Sequence, residues 1–175
     1  MTFVFLALGS NLGDRAANLE RALARLAPAV RIDRASPVYE TAPMYVTDQP
    51  AFLNMAVRGV TALAPRDLLR LAKGIEAALG REAGGLRFGP RPIDIDILFH
   101  GTLVMREPDL EIPHPRLAER AFVLRPLADI AAGLRHPALG RSVAGLLAVV
   151  PGQDTVVPAG IALPGVPAPG DGPEA

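Results

Sequence analysis

Residues 93–99 read Ile-Asp-Ile-Asp-Ile-Leu-Phe, with an acid at alternate positions at the start of an otherwise apolar run. Side chains alternate across a strand, so this stretch asks for a sheet with one buried face and one open face. Ile93, Ile95, Ile97 and Phe99 then share the core side, and Asp94, Asp96, Leu98 and His100 share the other. Half-solvated strands of this kind belong to antiparallel sheets.

The other layers can be read along the chain. Residues 2–8 form an apolar strand, and Gly9-Ser10-Asn11-Leu12-Gly13-Asp14 supplies a turn before an amphipathic stretch with Leu19, Leu23 and Leu26 on one face. Asp14 is placed to cap that helix. Residues 30–43 read as a second strand with Pro37 at an edge or bulge, and residues 52–60 as a third, with a loop from Thr41 to Ala51. Pro65 suits the first turn of a second helix, whose stripe is Leu68, Leu71, Ala72, Ile75 and Leu79. Lys73 and Glu76 lie together on a different face of it. Residues 80–91 make a long connection bearing glycines and arginines, the kind that often serves as a functional lid. The order strand, helix, strand, strand, helix, strand predicts an α+β, ferredoxin-like βαββαβ sandwich, with an antiparallel sheet, helices on one face and the other face free to carry a site. Residues 121–133 and 142–150 add short helices. From Pro151 to Ala175, 11 of 25 residues are Pro or Gly. The expected organisation is one domain over 1–150 and an extended or disordered tail over 151–175.

Composition narrows the partners. No apolar run approaches the roughly 20 residues that span a bilayer, and Met1 leads into the first strand without a basic leader. With no cysteine there is no disulfide frame and no thiolate metal site, so the expectation is a cytoplasmic protein off the membrane. Eighteen basic residues balance eighteen acidic ones, which provides no global field for nucleic acid. Any polyanion must be met locally, and every basic residue except Lys73 is arginine, whose planar fork suits phosphate.

Two carboxylates roughly 7 Å apart on one strand face repel each other but suit a hard divalent cation. Magnesium needs one or two carboxylates and completes its shell with water and phosphate oxygens. Acids that merely solvate an open sheet face are commonplace. What favours a site is the approach of Arg81, Arg87 and Arg91 from the preceding loop, since phosphoryl transfer needs cations to hold developing charge. His114 sits between prolines just before Arg116 and Arg120, a turn residue within reach of a phosphate. Phe52 and Phe122 read as core, or as rings that stack a planar ligand, and Asn54 shares the face of Phe52. The Gly9–Asp14 turn is no P-loop, and no Gly-x-Gly-x-x-Gly opens a helix.

Arg87-Phe88-Gly89-Pro90-Arg91-Pro92-Ile93-Asp94-Ile95-Asp96 resembles the signature of the 6-hydroxymethyl-7,8-dihydropterin pyrophosphokinases of the folate pathway. The likeness extends in order through residues 3–132. It implies a monomer that takes small-molecule substrates, moving pyrophosphate from ATP to the pterin hydroxymethyl group and releasing AMP. By that resemblance Asp94 and Asp96 hold two Mg2+ ions, and Arg81 and Arg91 join them as catalytic residues. Lys73, Glu76, Arg81, Arg87, Arg91, Ile97, His114 and Arg120 surround ATP as co-substrate. Thr41, Ala42, Pro43, Met44, Phe52, Asn54, Phe88, Asp94 and Phe122 meet the pterin. Asp109 and Glu111 stand where some relatives carry arginine and threonine.

Overall fold

Strand β1 (Thr2–Ser10) is an inner strand of a six-stranded sheet, and its alternation sorts the molecule into layers. The computed structural model describes residues 1–42, 48–80 and 90–170. β1 pairs antiparallel with β4 (Phe52–Thr61) on one side and β5 (Asp94–His100) on the other. β4 also pairs with β2 (Val30–Ala35) and β3 (Tyr39–Thr41). The stretch read as one second strand is therefore two. Ser36-Pro37-Val38 divides it because proline offers no N–H to the ladder, and the Ser36 hydroxyl accepts the Ala56 N–H at 2.9 Å at the break.

Val4, Leu6 and Leu8 face α1 (Arg15–Leu26) and α2 (Pro65–Ala78) and join Leu19, Leu26, Leu68, Ile75, Ile95 and Ile97 in one buried cluster. Asp14 accepts the Ala17 N–H at 3.1 Å as the cap of α1, and Pro65 opens α2, as the sequence predicts. Phe3, Phe5 and Ala7 belong to a second cluster with α3 (Ala121–Ala131) and α4 (Val143–Val149). The two helices of the βαββαβ unit thus share one face, as the sequence predicts, and the added helices α3 and α4 cover part of the other. The cause is the apolar stripe of α3, where Val123, Leu124, Leu127 and Ile130 need a surface to bury against.

The alternation of β5 breaks once. Leu6 faces Ile97 and Phe5 faces Phe99, which leaves Leu98 as an extra residue. Leu98 and Phe99 both join the α3 cluster, and His100 turns toward α2, its Nε2 lying 2.9 Å from the Leu63 carbonyl oxygen. Phe99 is therefore not on the isoleucine face, nor His100 on the aspartate face, because a bulge shifts every later side chain across the sheet. β2 carries a matching insertion. Ile32 faces Gly59 and Arg34 faces Arg58, with Asp33 extra. Its carboxylate accepts two hydrogen bonds of 2.9 Å from the buried Arg58, whose guanidinium lies 4.4 Å from the centre of the Phe3 ring. The two bulges bracket one cross-strand row: Phe99, Phe5, Arg58, Arg34.

A hairpin of β6 (Met105–Glu107) and β7 (Leu110–Ile112) follows β5 and is tied to α2 by Arg66, which reaches Glu107 and donates to both Asp109 oxygens at 3.0 and 3.1 Å. Past Pro151, where no element is expected, Val156–Pro158 forms β8 and pairs with β3. Its two valines suit a strand, and Pro158 is tolerated at the sheet edge. Ala159, Ile161, Leu163 and Val166 then pack against the α1–α2 cluster. Among the described residues, no helix is long and apolar enough to cross a membrane.

Candidate active site

Beyond the Phe5 row, the face of the sheet that carries α3 opens into a cleft. Its floor is three strands in register: Asp96, Ala7 and Ala56 in one row, Asp94, Gly9 and Asn54 in the next. Along this face β1 steps from Phe3 and Phe5 to Ala7 and Gly9, so the floor sinks where the side chains shrink. A Cβ on Gly9 would stand 3.0 Å from Asn54 Oδ1 and 3.6 Å from Phe52 Cδ1. Only glycine leaves the Asn54 amide where it is, while Phe52 would tolerate the contact.

Phe52 and Asn54 share one face of β4, as alternation requires, and both line the cleft with Thr41, Ala42 and Phe122. Asn54 Nδ2 donates to Thr41 Oγ1 at 2.6 Å, fixing the buried amide between β3 and β4. Phe122 enters from the start of α3, with the Arg120 guanidinium 5.5 Å from its ring centre. Arg120 Nε is buried with no hydrogen-bond partner among the described residues, an arrangement that favours an incoming acceptor.

The acid pair forms the other wall. Arg91, held between Pro90 and Pro92, reaches Asp94 Oδ2 at 3.4 Å. Asp96 has its carboxyl pushed up to about 7, chiefly by burial, then by the charges of Asp94 and Glu76, against the pull of Arg120 and Lys73. His114 is pushed down to about 4 by burial and by Arg120 and Arg116, with Asp94 opposing, and is neutral near pH 7. Its Nδ1 accepts the Arg116 N–H at 3.2 Å, so Nε2 carries the proton and faces Asp96 Oδ2 at 3.9 Å.

The remaining predicted residues are not all gathered here. Ile97 is buried in the α1–α2 cluster, on the opposite face from Asp96. Glu76 is buried too, and not on a solvated helix face: Oε2 accepts the Ile95 N–H at 2.9 Å and Oε1 lies 3.3 Å from Lys73 Nζ. It pins α2 to the strand of the acid pair. Pro43, Met44, Arg81, Arg87 and Phe88 lie outside the described residues.

Sequence reasoning missed Ala7, Gly9, Asn11 and Gln49. The first two had a signal, the fall in side-chain size along one face of β1. Gln49 lines the cleft and Asn11 lies fully buried behind it, and neither belongs to a spacing pattern.

Among the described residues no group of three or more His, Cys, Asp or Glu could hold a metal ion. The pair Asp94 and Asp96 still fits magnesium, which accepts one or two carboxylates when a phosphate supplies further oxygens. The Asp96 carboxyl is raised by burial first and then by the charges of Asp94 and Glu76, both of which a bound cation would offset.

Residues 5–132 match the family model described as 7,8-dihydro-6-hydroxymethylpterin-pyrophosphokinase (HPPK). The chain is 52% identical over 128 residues to a folate synthesis bifunctional protein of Arabidopsis thaliana, covering 73% of this chain and 26% of that protein. It is 47% identical over 128 residues to the 2-amino-4-hydroxy-6-hydroxymethyldihydropteridine pyrophosphokinase of Bacillus subtilis, covering 72% of this chain and 76% of that one. Against the crystal structure of wild-type Plasmodium falciparum HPPK-DHPS the TM-score is 0.68 at 18% identity, over 84% of this chain and 44% of that one, a likeness of fold. The chain spans about a quarter of the bifunctional plant relatives it matches. A ferredoxin-like sheet with an acid pair beside a Thr-Asn-Phe pocket, and a model match across most of the chain, place it in the 7,8-dihydro-6-hydroxymethylpterin-pyrophosphokinase family.

Proposed function

We propose that this chain transfers pyrophosphate from ATP to the hydroxymethyl group of 6-hydroxymethyl-7,8-dihydropterin, as a cytoplasmic monomer. The observation that carries the reading is one cleft whose two walls suit the two substrates. A flat heterocycle fits between Phe52 and Phe122, and its donor and acceptor edge meets the Asn54 amide, held by Thr41. Thr41, Ala42, Pro43, Met44 and Phe88 complete that side by family resemblance.

Arg91, Arg120 and His114 are the groups for the triphosphate, with Arg81 and Arg87 assigned from the family signature. The neutral His114 offers its Nε2–H to a phosphate oxygen, and Arg120 offers its buried Nε. Lys73, Glu76 and Ile97 are assigned to the nucleotide by the family resemblance alone. Asp94 and Asp96 would hold Mg2+, two ions by the resemblance, which would supply charge neutralisation between the phosphates. The pterin hydroxyl oxygen forms a bond to the β-phosphorus and gives up its proton to solvent, the bond from that phosphorus to the α,β-bridging oxygen breaks, and AMP departs. The protein contributes alignment and fixed positive charge.

Incubation with the pterin and MgATP is expected to yield AMP and the pterin diphosphate. ADP as product, or AMP formed at the same rate without pterin, overturns the assignment.

A further inference from the structure

The turn that fails as a phosphate loop has another use. Asn11 is fully buried at the end of β1, and its polar atoms reach two segments that border the cleft. Its Oδ1 accepts the Arg91 N–H at 2.7 Å, and its own N–H donates to the Arg91 carbonyl at 3.0 Å. Its Nδ2 donates to Gln49 Oε1 at 2.9 Å and to the Pro50 carbonyl at 3.1 Å. A backbone donor on one side and a backbone acceptor on the other settle which way the amide stands. Arg91 and Gln49 both line the cleft, one beside Asp94 and the other beside Thr41 and Phe52.

We infer that Asn11 is a positioning residue that sets the phosphate wall and the pterin wall at a fixed separation, through Arg91 and Gln49. No other residue type offers both arms. Aspartate keeps the acceptor for Arg91 but loses the donors, alanine loses both, and glutamine places the amide one methylene too far. Arg15 supports the same arrangement from the first turn of α1, donating to the Ala51 carbonyl at 2.9 Å. In-line transfer depends on such a separation, since a shift near 1 Å between reacting groups can cost about a hundredfold.

The inference rests on the pyrophosphokinase reading. If that reading fails, the wild-type protein makes no pterin-dependent AMP; if this one fails, only the variants reveal it. Asn11→Ala is expected to lower kcat by roughly 10 to 100-fold. In an Arg91→Ala background the same change should cost less than about threefold, because the arm it held is gone. Asn11→Asp is expected to keep kcat within about threefold while raising the pterin KM by about fivefold or more, with the ATP KM unmoved. A folded Asn11→Ala enzyme with wild-type kcat, or an equal loss in both backgrounds, overturns the inference. Should Asn11→Ala not fold, Asn11→Asp decides, and a fall in kcat at unchanged pterin KM counts against it.

Discussion

At one end of the sheet, the Asp33 carboxylate is 5% exposed and held by two hydrogen bonds from Arg58. At the other end, Asp94 and Asp96 stand 27% and 33% exposed on one strand face, with Arg91 at 3.4 Å from the first and the neutral His114 at 3.9 Å from the second. Asp33 is given a buried guanidinium as its partner, whereas Asp96 has its carboxyl raised, chiefly by burial and then by the charges of Asp94 and Glu76. A carboxyl raised by burial and by a like charge beside it, on the floor of an open cleft, distinguishes a candidate site from a structural ion pair.

The contrast can be broken from either end. Asp96→Ala should lower AMP formation by about 10⁴-fold while leaving the thermal midpoint unchanged or higher, since it removes a metal ligand and a repulsion together. A variant with near-normal turnover would end the comparison. Arg58→Met does the opposite: it leaves Asp33 buried without its guanidinium and should cost about 3–5 kcal/mol in urea unfolding, with the rate per folded molecule held. Adding Asp33→Leu should recover much of that loss, because the stranded charge goes with it.

Gly9→Ala is a smaller change, at the floor itself. With Asn54 Oδ1 only 3.0 Å from the new Cβ, the amide has to move, and the pterin KM should rise about tenfold while the ATP KM stays put. Equal rises in both would show that the floor serves the whole cleft.

The smallest effect is in the pH dependence of stability without magnesium. Asp96 binds its proton more tightly in the folded chain, so it favours the fold at low pH, and that contribution is lost between about pH 4 and 7. His114 has the opposite sign: its contribution is complete above about pH 6.5 and is lost as pH falls to about 4. The two oppose each other in the wild type. Asp96→Asn leaves His114 alone, so its thermal midpoint in EDTA should climb more steeply with pH over this window than the wild type's. Parallel curves would show that the two groups are not perturbed as described.

The regular parts of this molecule were legible in its sequence for physical reasons. Asp14, Pro65 and the apolar stripes of α1 and α2 act within a turn or two of themselves, and alternation places Asp94, Asp96 and the three isoleucines. It fails at Leu98, because an inserted residue in a strand leaves no mark in the pattern. The faces of β4 were readable enough to join Phe52 with Asn54. Asn11 was not readable, since its hydrogen bonds reach Gln49 and Arg91, 38 and 80 residues away. Asp109 offers no sign in the sequence that Arg66 would claim it. The strand at 156–158 was hidden by the prolines and glycines around it, although its valines fit a sheet edge.

The row Phe99, Phe5, Arg58, Arg34 lies between two one-residue insertions on opposite flanks of the sheet. In terms of parity, β5 changes from even to odd counting inside seven residues, so one strand serves a wet wall and a dry layer on the same side. Deleting Leu98 would close the insertion, leave both aspartates, the Phe5–Phe99 pair and the Val4–His100 pair where they are, and take one buried side chain from beneath α3, so a defect in the packing of a distant helix would be the first consequence of trimming one leucine.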